Sequence, residues 1–243
     1  WTPIPRRIMI DSKYFFKGFS SIRGVRSPAI ALGASFIAIG ALLKNIGFTI
    51  QESFFSTFLT YALPGSLVMA ESMIVGASLL NIFIAVWLVN ARLYPMTVSL
   101  MPLLMHRTQP KWKYYLSCHF LAVSSWLIAK DSYKKIVKKH RLDFWIGIGI
   151  GTWTTAILTT LLGYLMADYL SKDLMIGLAI VNPVYFFCMM IGAMKNFAIS
   201  LAVIGGTLFG PAFYLISTEW SILIAGLSAG TIAYIFERKS GSK

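Results

Sequence analysis

Long apolar runs separated by short polar and basic stretches dominate the sequence. A helix that crosses a hydrocarbon core of about 30 Å needs roughly 20 mostly apolar residues, and eight candidate segments meet that length approximately. They cover residues 28–43, 53–71, 73–104, 114–130, 144–167, 174–193, 197–216 and 220–236. The pattern predicts an all-α polytopic membrane protein with about eight transmembrane segments, the third of which is too long for one straight helix.

Composition supports this class and excludes others. Of the 243 residues, 57% are hydrophobic and 13% are charged, and the mean hydropathy is +0.70. Soluble domains carry about 25% charged residues, which excludes a soluble enzyme, a disordered protein and a nucleic-acid-binding domain. Cys118 and Cys188 lie inside apolar segments. No Cys/His cluster or Gly-rich phosphate loop indicates a metal or another cofactor.

The basic residues predict the orientation in the membrane. Eight crossings would place 16 of the 22 Lys and Arg residues on one side and five on the other, with Arg92 inside an apolar segment. Cytoplasmic loops are enriched in Lys and Arg, so both termini are expected in the cytoplasm. The basic loop 106–113 falls on the wrong side, and a re-entrant end to the third segment would explain it. The predicted parts are a cytoplasmic basic N-terminal segment (1–27), a single transmembrane domain (28–236) and a cytoplasmic tail (237–243).

Interruptions of the apolar segments suggest an internal duplication. Segments two and six are interrupted at Pro64-Gly65 and Asn182-Pro183, and segments three and seven at Tyr94-Pro95 and Gly210-Pro211. Transporters often consist of two repeats with broken helices at matching positions. Prolines are common in membrane helices, so coincidence is the alternative. The predicted repeats cover residues 28–130 and 144–236.

Broken helices also suggest where a solute would bind, because lipid cannot satisfy the freed backbone groups. The break at residues 64–66 would direct half-helix N–H groups at a carboxylate, unless it is a simple kink. Arg92 faces either a cavity or, by snorkelling, the membrane interface. The candidate substrate-binding residues are Pro64, Gly65, Ser66, Asn90, Arg92, Tyr94, Trp153, Asn182 and Pro183.

Three further features have two interpretations each. Glu71 either binds a proton or a substrate ammonium group, or caps a helix in a tight turn. His119 is a candidate proton carrier or a packed hydrogen-bonding group. Trp153, among threonines, lines a pathway or makes an ordinary helix contact. The glycines of residues 147–151 predict a close approach of two helices.

Three short motifs occur in a characteristic order. Residues 88–92 (Leu-Val-Asn-Ala-Arg) precede Leu-Met-Pro at 100–102, a Gly-rich stretch occupies residues 147–153, and Pro183 precedes Phe186-Phe187. Together they resemble the large subunit of the bacterial branched-chain amino acid exporters of the AzlC/YgaZ family. The match to that family's Asn-x-Arg signature at residues 90–92 is the most specific.

The resemblance implies a secondary transporter of the bacterial cytoplasmic (inner) membrane that exports valine, leucine and isoleucine, and in some members methionine. It also implies a hetero-oligomer with a small AzlD-like membrane subunit of about four helices, surrounded by lipid. The sequence departs from the family at Ser124-Ser125, where many members carry Asp-Glu, and at Leu67-Val68, where many carry Gln. The first departure puts in doubt the coupling of transport to protons through a carboxylate in segment four. The second puts in doubt whether the substrate is the same as in those members.

A membrane-embedded enzyme that acts on a lipid or another interfacial substrate is the alternative from a different class. Such a site needs a nucleophile with a base, or clustered carboxylates and histidines. The nine acidic residues and three histidines form no compact cluster in the sequence, and His106, Arg107 and His119 come nearest. The sequence therefore favours a transporter over an enzyme.

Overall fold

The computed structural model describes residues 10–23, 28–107, 109–194, 197–216 and 221–240. Within those ranges the chain is helical and contains no strand, as the apolar pattern predicts. The helices are α1 (Ser12–Ser20), α2 (Pro28–Asn45), α3 (Ile50–Leu59), α4 (Leu63–Ile74), α5 (Leu79–Asn90), α6 (Leu93–Leu104), α7 (Lys111–Ser117), α8 (Val123–Ser132), α9 (Arg141–Met166), α10 (Lys172–Ala193), α11 (Phe197–Tyr214) and α12 (Ser221–Ser240).

Helix α9 is the axis against which the first half of the chain packs. Its 26 residues span about 39 Å, more than a hydrocarbon core. Helices α1 and α2 lie along it one after the other, with the Phe15 backbone against Gly147 and the Ile37 backbone against Gly163. A side chain at either glycine would separate the helices, so the predicted close approach at residues 147–151 is confirmed.

The two ends of α9 define the two ends of the molecule. At its start, Arg141 donates hydrogen bonds to the carbonyls of Leu103 (3.2 Å) and Tyr133 (2.9 Å). These bonds hold the end of α6 and the chain just after α8 beside the start of α9. We term this the basic end. At the other end, termed the far end, Lys44 pairs with Asp168 at 2.6 Å.

Helix α3 runs from the far end to the middle of the molecule, antiparallel to α9. Just before its start, the Phe48 carbonyl accepts a hydrogen bond from the Tyr164 hydroxyl at 2.9 Å. Near its end, the Phe58 carbonyl accepts one from Trp153 Nε1 at 3.2 Å. Its 10 residues cover about 15 Å, half of the hydrocarbon core.

Helix α4 reverses direction and returns to the far end. Its first residue, Leu63, packs in one cluster with Leu32 of α2. One turn later, Leu67 shares a pocket with Leu42 and with Lys172, both near the far end. Helices α3 and α4 therefore form a re-entrant hairpin, and the prediction that segment two spans the membrane is wrong.

Helices α7 and α8 form a second re-entrant hairpin, which starts from the basic end. Helix α7 runs beside the start of α9, where Trp145 Nε1 donates to the Ser117 carbonyl at 3.1 Å. Helix α8 returns, and the Tyr133 ring that follows it packs on Phe144 with centroids 6.4 Å apart. The prediction that segment four spans the membrane is therefore also wrong.

Helices α5 and α6 together form one bent path from the far end to the basic end. Their axes differ by 43°, and the break falls at Ala91 and Arg92, just before the predicted Tyr94-Pro95. Pro95 explains it, because proline lacks an N–H and its ring clashes with the carbonyl four residues earlier, that of Ala91. The interruption predicted in segment three is confirmed.

The breaks predicted in segments six and seven are wrong. Helix α10 continues through Asn182-Pro183, and α11 continues through Gly210-Pro211. A proline removes one backbone hydrogen bond, and the apolar helix formers on both sides keep the rest of the ladder. The proposed repeat 144–236 therefore lacks the breaks that suggested it.

Length and composition qualify three described stretches as membrane-crossing helices, Pro28–Asn45, Lys138–Met166 and Phe197–Tyr214, and the α5–α6 pair counts as a fourth. The two hairpins reduce the eight expected crossings to at most six. They also bring Arg107, Lys111 and Lys113 to the basic end. Eight crossings would place five basic residues on the side opposite the termini. After this change, two of them remain there, Lys44 and Lys172.

Site-directed thiol labelling should show this arrangement directly. In a protein with Cys118→Ser and Cys188→Ser, we expect Arg107→Cys and Lys135→Cys to react with a membrane-impermeant maleimide from the same side. Lys172→Cys should react from the opposite side and serves as the control. Eight crossings would instead place the first two thiols on opposite sides, which would contradict the re-entrant α7–α8 hairpin.

Candidate functional site

Three helix breaks from different parts of the chain meet at one central cavity. Its volume is about 410 Å³, within the range of small-molecule pockets. Ala62, Arg92 and Ala122 line it, one residue from each break. Apolar side chains of α2 and α4 cover much of the rest, among them Leu32, Phe36 and Leu67. The cavity thus combines freed backbone groups with an apolar wall.

The α3–α4 break leaves the start of α4 without a side-chain cap. Ala62 occupies the N-cap position in an extended conformation, and its methyl group cannot accept a hydrogen bond. Pro64 follows within the first turn, where its missing N–H does no harm. The first amides of a helix have no partner within the helix. The positive end of α4 therefore faces the cavity.

The α7–α8 break repeats this arrangement at the start of α8. Ala122 is the N-cap, again without a side-chain acceptor for the α8 amides. The Ser125 hydroxyl instead forms hydrogen bonds with the residues just before α8: it accepts from the Ala122 N–H (2.9 Å) and donates to the Phe120 carbonyl (2.8 Å). Val123 and Ser124, the first residues of α8, line the cavity.

The negative ends of the broken helices are covered, by contrast. Two tryptophans of α9 donate their indole N–H groups to them: Trp153 to the Phe58 carbonyl of α3, and Trp145 to the Ser117 carbonyl of α7. His119 Nε2 adds a second hydrogen bond to Phe58, at 3.1 Å. The α3–α4 and α7–α8 breaks therefore present positive helix ends to the cavity, while a carbonyl at the end of α3 and one at the end of α7 are hydrogen-bonded to α9.

Arg92 adds a full positive charge at the same place. It lines the central cavity and also a side groove of about 730 Å³ between the α5–α6 bend and α12. Among the described residues, Arg92 has no hydrogen-bond or ion-pair partner. The described residues that line the cavity include no Asp or Glu. Its charge therefore favours a carboxylate.

Gly65 and Asn90 lie together just behind the cavity wall. A Cβ at Gly65 would be 2.6 Å from Asn90 Nδ2, so only glycine leaves room for this amide beside the first turn of α4. Asn90 Oδ1 is buried and has no hydrogen-bond partner among the described residues. It is a candidate acceptor for a bound solute.

The structure thus brings part of the predicted site together. Pro64 and Arg92 line the central cavity, with Gly65 and Asn90 in contact behind it. Ser66 is buried and donates to the Ala62 carbonyl at 3.3 Å, so its hydroxyl is used within the hairpin.

Other predicted residues lie elsewhere. Tyr94 is 74% exposed and lines the side groove. Glu71 is exposed in the last turn of α4, beside the turn at the far end. Trp153 and His119 hold the Phe58 carbonyl instead of lining the cavity. The side chains of Asn182 and Pro183 lie outside the described residues.

The break at Leu121-Ala122 is the main part of the site that sequence reasoning misses. No Pro or Gly marks it. The basic loop 106–113 is the signal that could have revealed it, since a re-entrant segment four places that loop at the basic end. Within the described residues, no group of three His, Cys, Asp or Glu side chains could hold a metal ion.

A comparison with known protein families assigns this chain to one of them. The family described as AzlC protein matches residues 28–170, more than half of the chain. The chain belongs to the AzlC family. Comparisons with curated proteins and with solved structures found no match.

The matched range contains both re-entrant hairpins, the α5–α6 bend and α9, and therefore every described residue that lines the central cavity. Helices α10–α12 lie outside it. Membership of the AzlC family and the apolar helices make this a membrane protein with a transport role.

The Gly65–Asn90 contact predicts coupled effects on stability. Gly65→Ala should lower the free energy of unfolding by about 1–3 kcal/mol, because the new methyl group overpacks against the Asn90 amide. In an Asn90→Ala background the same change should cost less than about 1 kcal/mol. Denaturation in mixed micelles measures both.

Gly206→Ala is the matched control for this pair, since nothing lies within 4 Å of a Cβ at that position. It should leave stability unchanged or slightly higher. Equal costs of Gly65→Ala in the two backgrounds would show that the contact does not exist.

Proposed function

We propose that this protein is the large subunit of a secondary transporter that exports valine, leucine and isoleucine, with methionine as a further substrate. It works by alternating access, together with a small four-helix membrane subunit. AzlC-family membership supports the transport role. The observation that carries the substrate class is one cavity with two helix N-termini that lack a side-chain acceptor, an arginine without a partner among the described residues, and an apolar wall.

The carboxylate of the amino acid would bind at the positive side of the cavity. The amides at the start of α4 and α8 converge there with Arg92, and hydrogen bonds to a charged group are worth about 1.5–3 kcal/mol each. Leu32, Phe36 and Leu67 would receive the branched apolar side chain. Binding near the middle of the membrane, between two hairpins, suits a carrier that is open to one side at a time.

The ammonium group of the substrate needs an acceptor, and no carboxylate is offered by the described lining of the cavity. Asn90 Oδ1 is buried next to Gly65 and accepts no hydrogen bond from the described residues. A small rotation of the amide into the cavity would direct this oxygen at the ammonium group. This use of Asn90 explains why a buried amide stands where an apolar side chain would pack at lower cost.

The basic end is proposed to face the cytoplasm of a bacterial inner membrane. The connections at this end carry Arg107, Lys111 and Lys113 in addition to the lysines of residues 130–139. A concentration of Lys and Arg of this kind marks the cytoplasmic side of short loops. Both termini would then be cytoplasmic as well.

Efflux from preloaded proteoliposomes tests the proposal. We expect labelled valine, leucine and methionine to leave vesicles that contain this chain together with the small four-helix subunit faster than vesicles with either protein alone. Protein-free vesicles give the passive leak. No efflux above that leak from a folded complex would reject the exporter function, and lipid analysis of the same vesicles would then test the enzyme alternative.

Arg92 should be required for efflux. Arg92→Gln removes the positive charge that the carboxylate meets, and we expect the initial efflux rate to fall about 10- to 100-fold. Arg92→Lys keeps the charge without the planar fork and should retain an intermediate rate. Arg107→Gln removes an exposed arginine at the basic end and should have no effect.

Equal protein levels and melting temperatures must accompany the comparison of these variants. An Arg92→Gln protein that exports leucine at the parental rate would remove Arg92 from the binding site.

A further inference from the structure

The two re-entrant hairpins enter from opposite ends, and a hydrogen bond to one carbonyl group joins their tips. Phe58 lies in the last turn of α3, close to the tip of the α3–α4 hairpin. Its oxygen accepts a hydrogen bond from His119 Nε2 (3.1 Å), near the tip of the α7–α8 hairpin. It also accepts one from Trp153 Nε1 (3.2 Å), on α9. One acceptor therefore joins both hairpins to the axis of the molecule.

Each hairpin is held to the rest of the protein at its own end. The α3–α4 hairpin is fixed towards the far end by the Tyr164–Phe48 hydrogen bond. The α7–α8 hairpin is fixed at the basic end, where Arg141 donates to the Tyr133 carbonyl, just after α8, at 2.9 Å. Among the described residues, the hydrogen bond from His119 to Phe58 is the only one between the two tips. A tilt of either hairpin about its base would therefore separate the tips first.

Neither hairpin crosses the membrane, so moving one of them interrupts no transmembrane helix. Helices α3 and α4 have 10 and 12 residues, which makes the hairpin about 15–18 Å deep, half of the hydrocarbon core. Outward movement of the α3–α4 hairpin would open the cavity to the far end. Movement of the α7–α8 hairpin would open it to the basic end.

Aromatic packing around the carbonyl favours a contact that can break and re-form. The Trp153 ring lies 4.6 Å from the Phe58 ring and 5.8 Å from the His119 ring, measured between centroids. These contacts are edge-on or tilted, the arrangements that aromatic rings favour. The rings therefore attract one another around the carbonyl. Trp153 stays with α9 whichever hairpin moves.

We propose that the α3–α4 and α7–α8 hairpins are the two gates of the central cavity, and that the His119–Phe58 hydrogen bond latches them together while the cavity is closed to both ends. His119 is thus a positioning residue for the gates, and Trp153 is the fixed contact to which they return. This proposal rests on the proposed transport function. A neutral hydrogen bond changes an equilibrium by roughly two- to tenfold, which suits a latch that opens in every cycle.

Accessibility of a thiol in the cavity tests the latch without requiring transport. Ala62→Cys, in a protein with Cys118→Ser and Cys188→Ser, places a reporter at the tip of the α3–α4 hairpin. Adding His119→Leu should raise its rate of modification by a small membrane-impermeant thiosulfonate about two- to tenfold. His119→Gln keeps an N–H donor and should stay closer to the parental rate.

Trp126→Phe is the matched control, because it removes an indole hydrogen bond of similar length that joins α8 to α6 and does not reach the α3–α4 hairpin. It should leave the reporter rate unchanged. Equal rates in the parent and His119→Leu, or equal increases with Leu and Gln, would overturn the latch.

A cross-link provides a second test in case His119→Leu fails to fold. Oxidising Phe58→Cys/His119→Cys in the same background should stop leucine efflux from the complex, and reduction should restore it. Unchanged efflux through a fully cross-linked protein would overturn the gates.

The two proposals fail in different ways. Parental protein that never exports leucine, but whose reporter responds to His119→Leu, would reject the transport function and leave the latch in place. Efflux that depends on Arg92, combined with a reporter rate that does not change with His119→Leu, would support the transport function and reject the latch.

Discussion

The need to satisfy every backbone polar group in lipid is the constraint on which this structure depends. Two hairpins end in the middle of the molecule, where lipid cannot cap their freed carbonyls and amides. Helix α9 resolves half of the difficulty with two indoles, Trp145 and Trp153, which donate to the carbonyl ends of α7 and α3. Without these bonds the helix breaks would be costly in a membrane.

The other half of the difficulty gives the protein its site. The amide ends of α4 and α8 start at Ala62 and Ala122, which have no side-chain acceptor, and both face the cavity that Arg92 lines. In the proposed function, a bound carboxylate would complete these groups at once. Stability and function would then be linked at the same atoms, because the substrate would satisfy the backbone groups that lipid cannot.

Sequence reasoning identified an all-α membrane protein, its apolar segments and Arg92 as a cavity residue. It predicted wrongly that segments two and four cross the membrane. Pro64 and Pro95 marked true breaks, since proline acts on the backbone locally. Pro183 and Pro211 did not, because the same residue is tolerated where its neighbours keep the helix intact. The basic loop 106–113 was the one sign that segment four turns back.

The sequence by itself determined that the chain is helical and apolar, where its basic residues concentrate and where proline weakens a helix. These properties depend on residue type and on neighbours a few positions away. Only the tertiary structure decided which apolar segments cross and which return, and that Ala122 joins Ala62 and Arg92 at one cavity. Such choices depend on contacts between distant segments, such as Trp153 with Phe58 and Gly163 with Ile37, and hydropathy carries no information about partners.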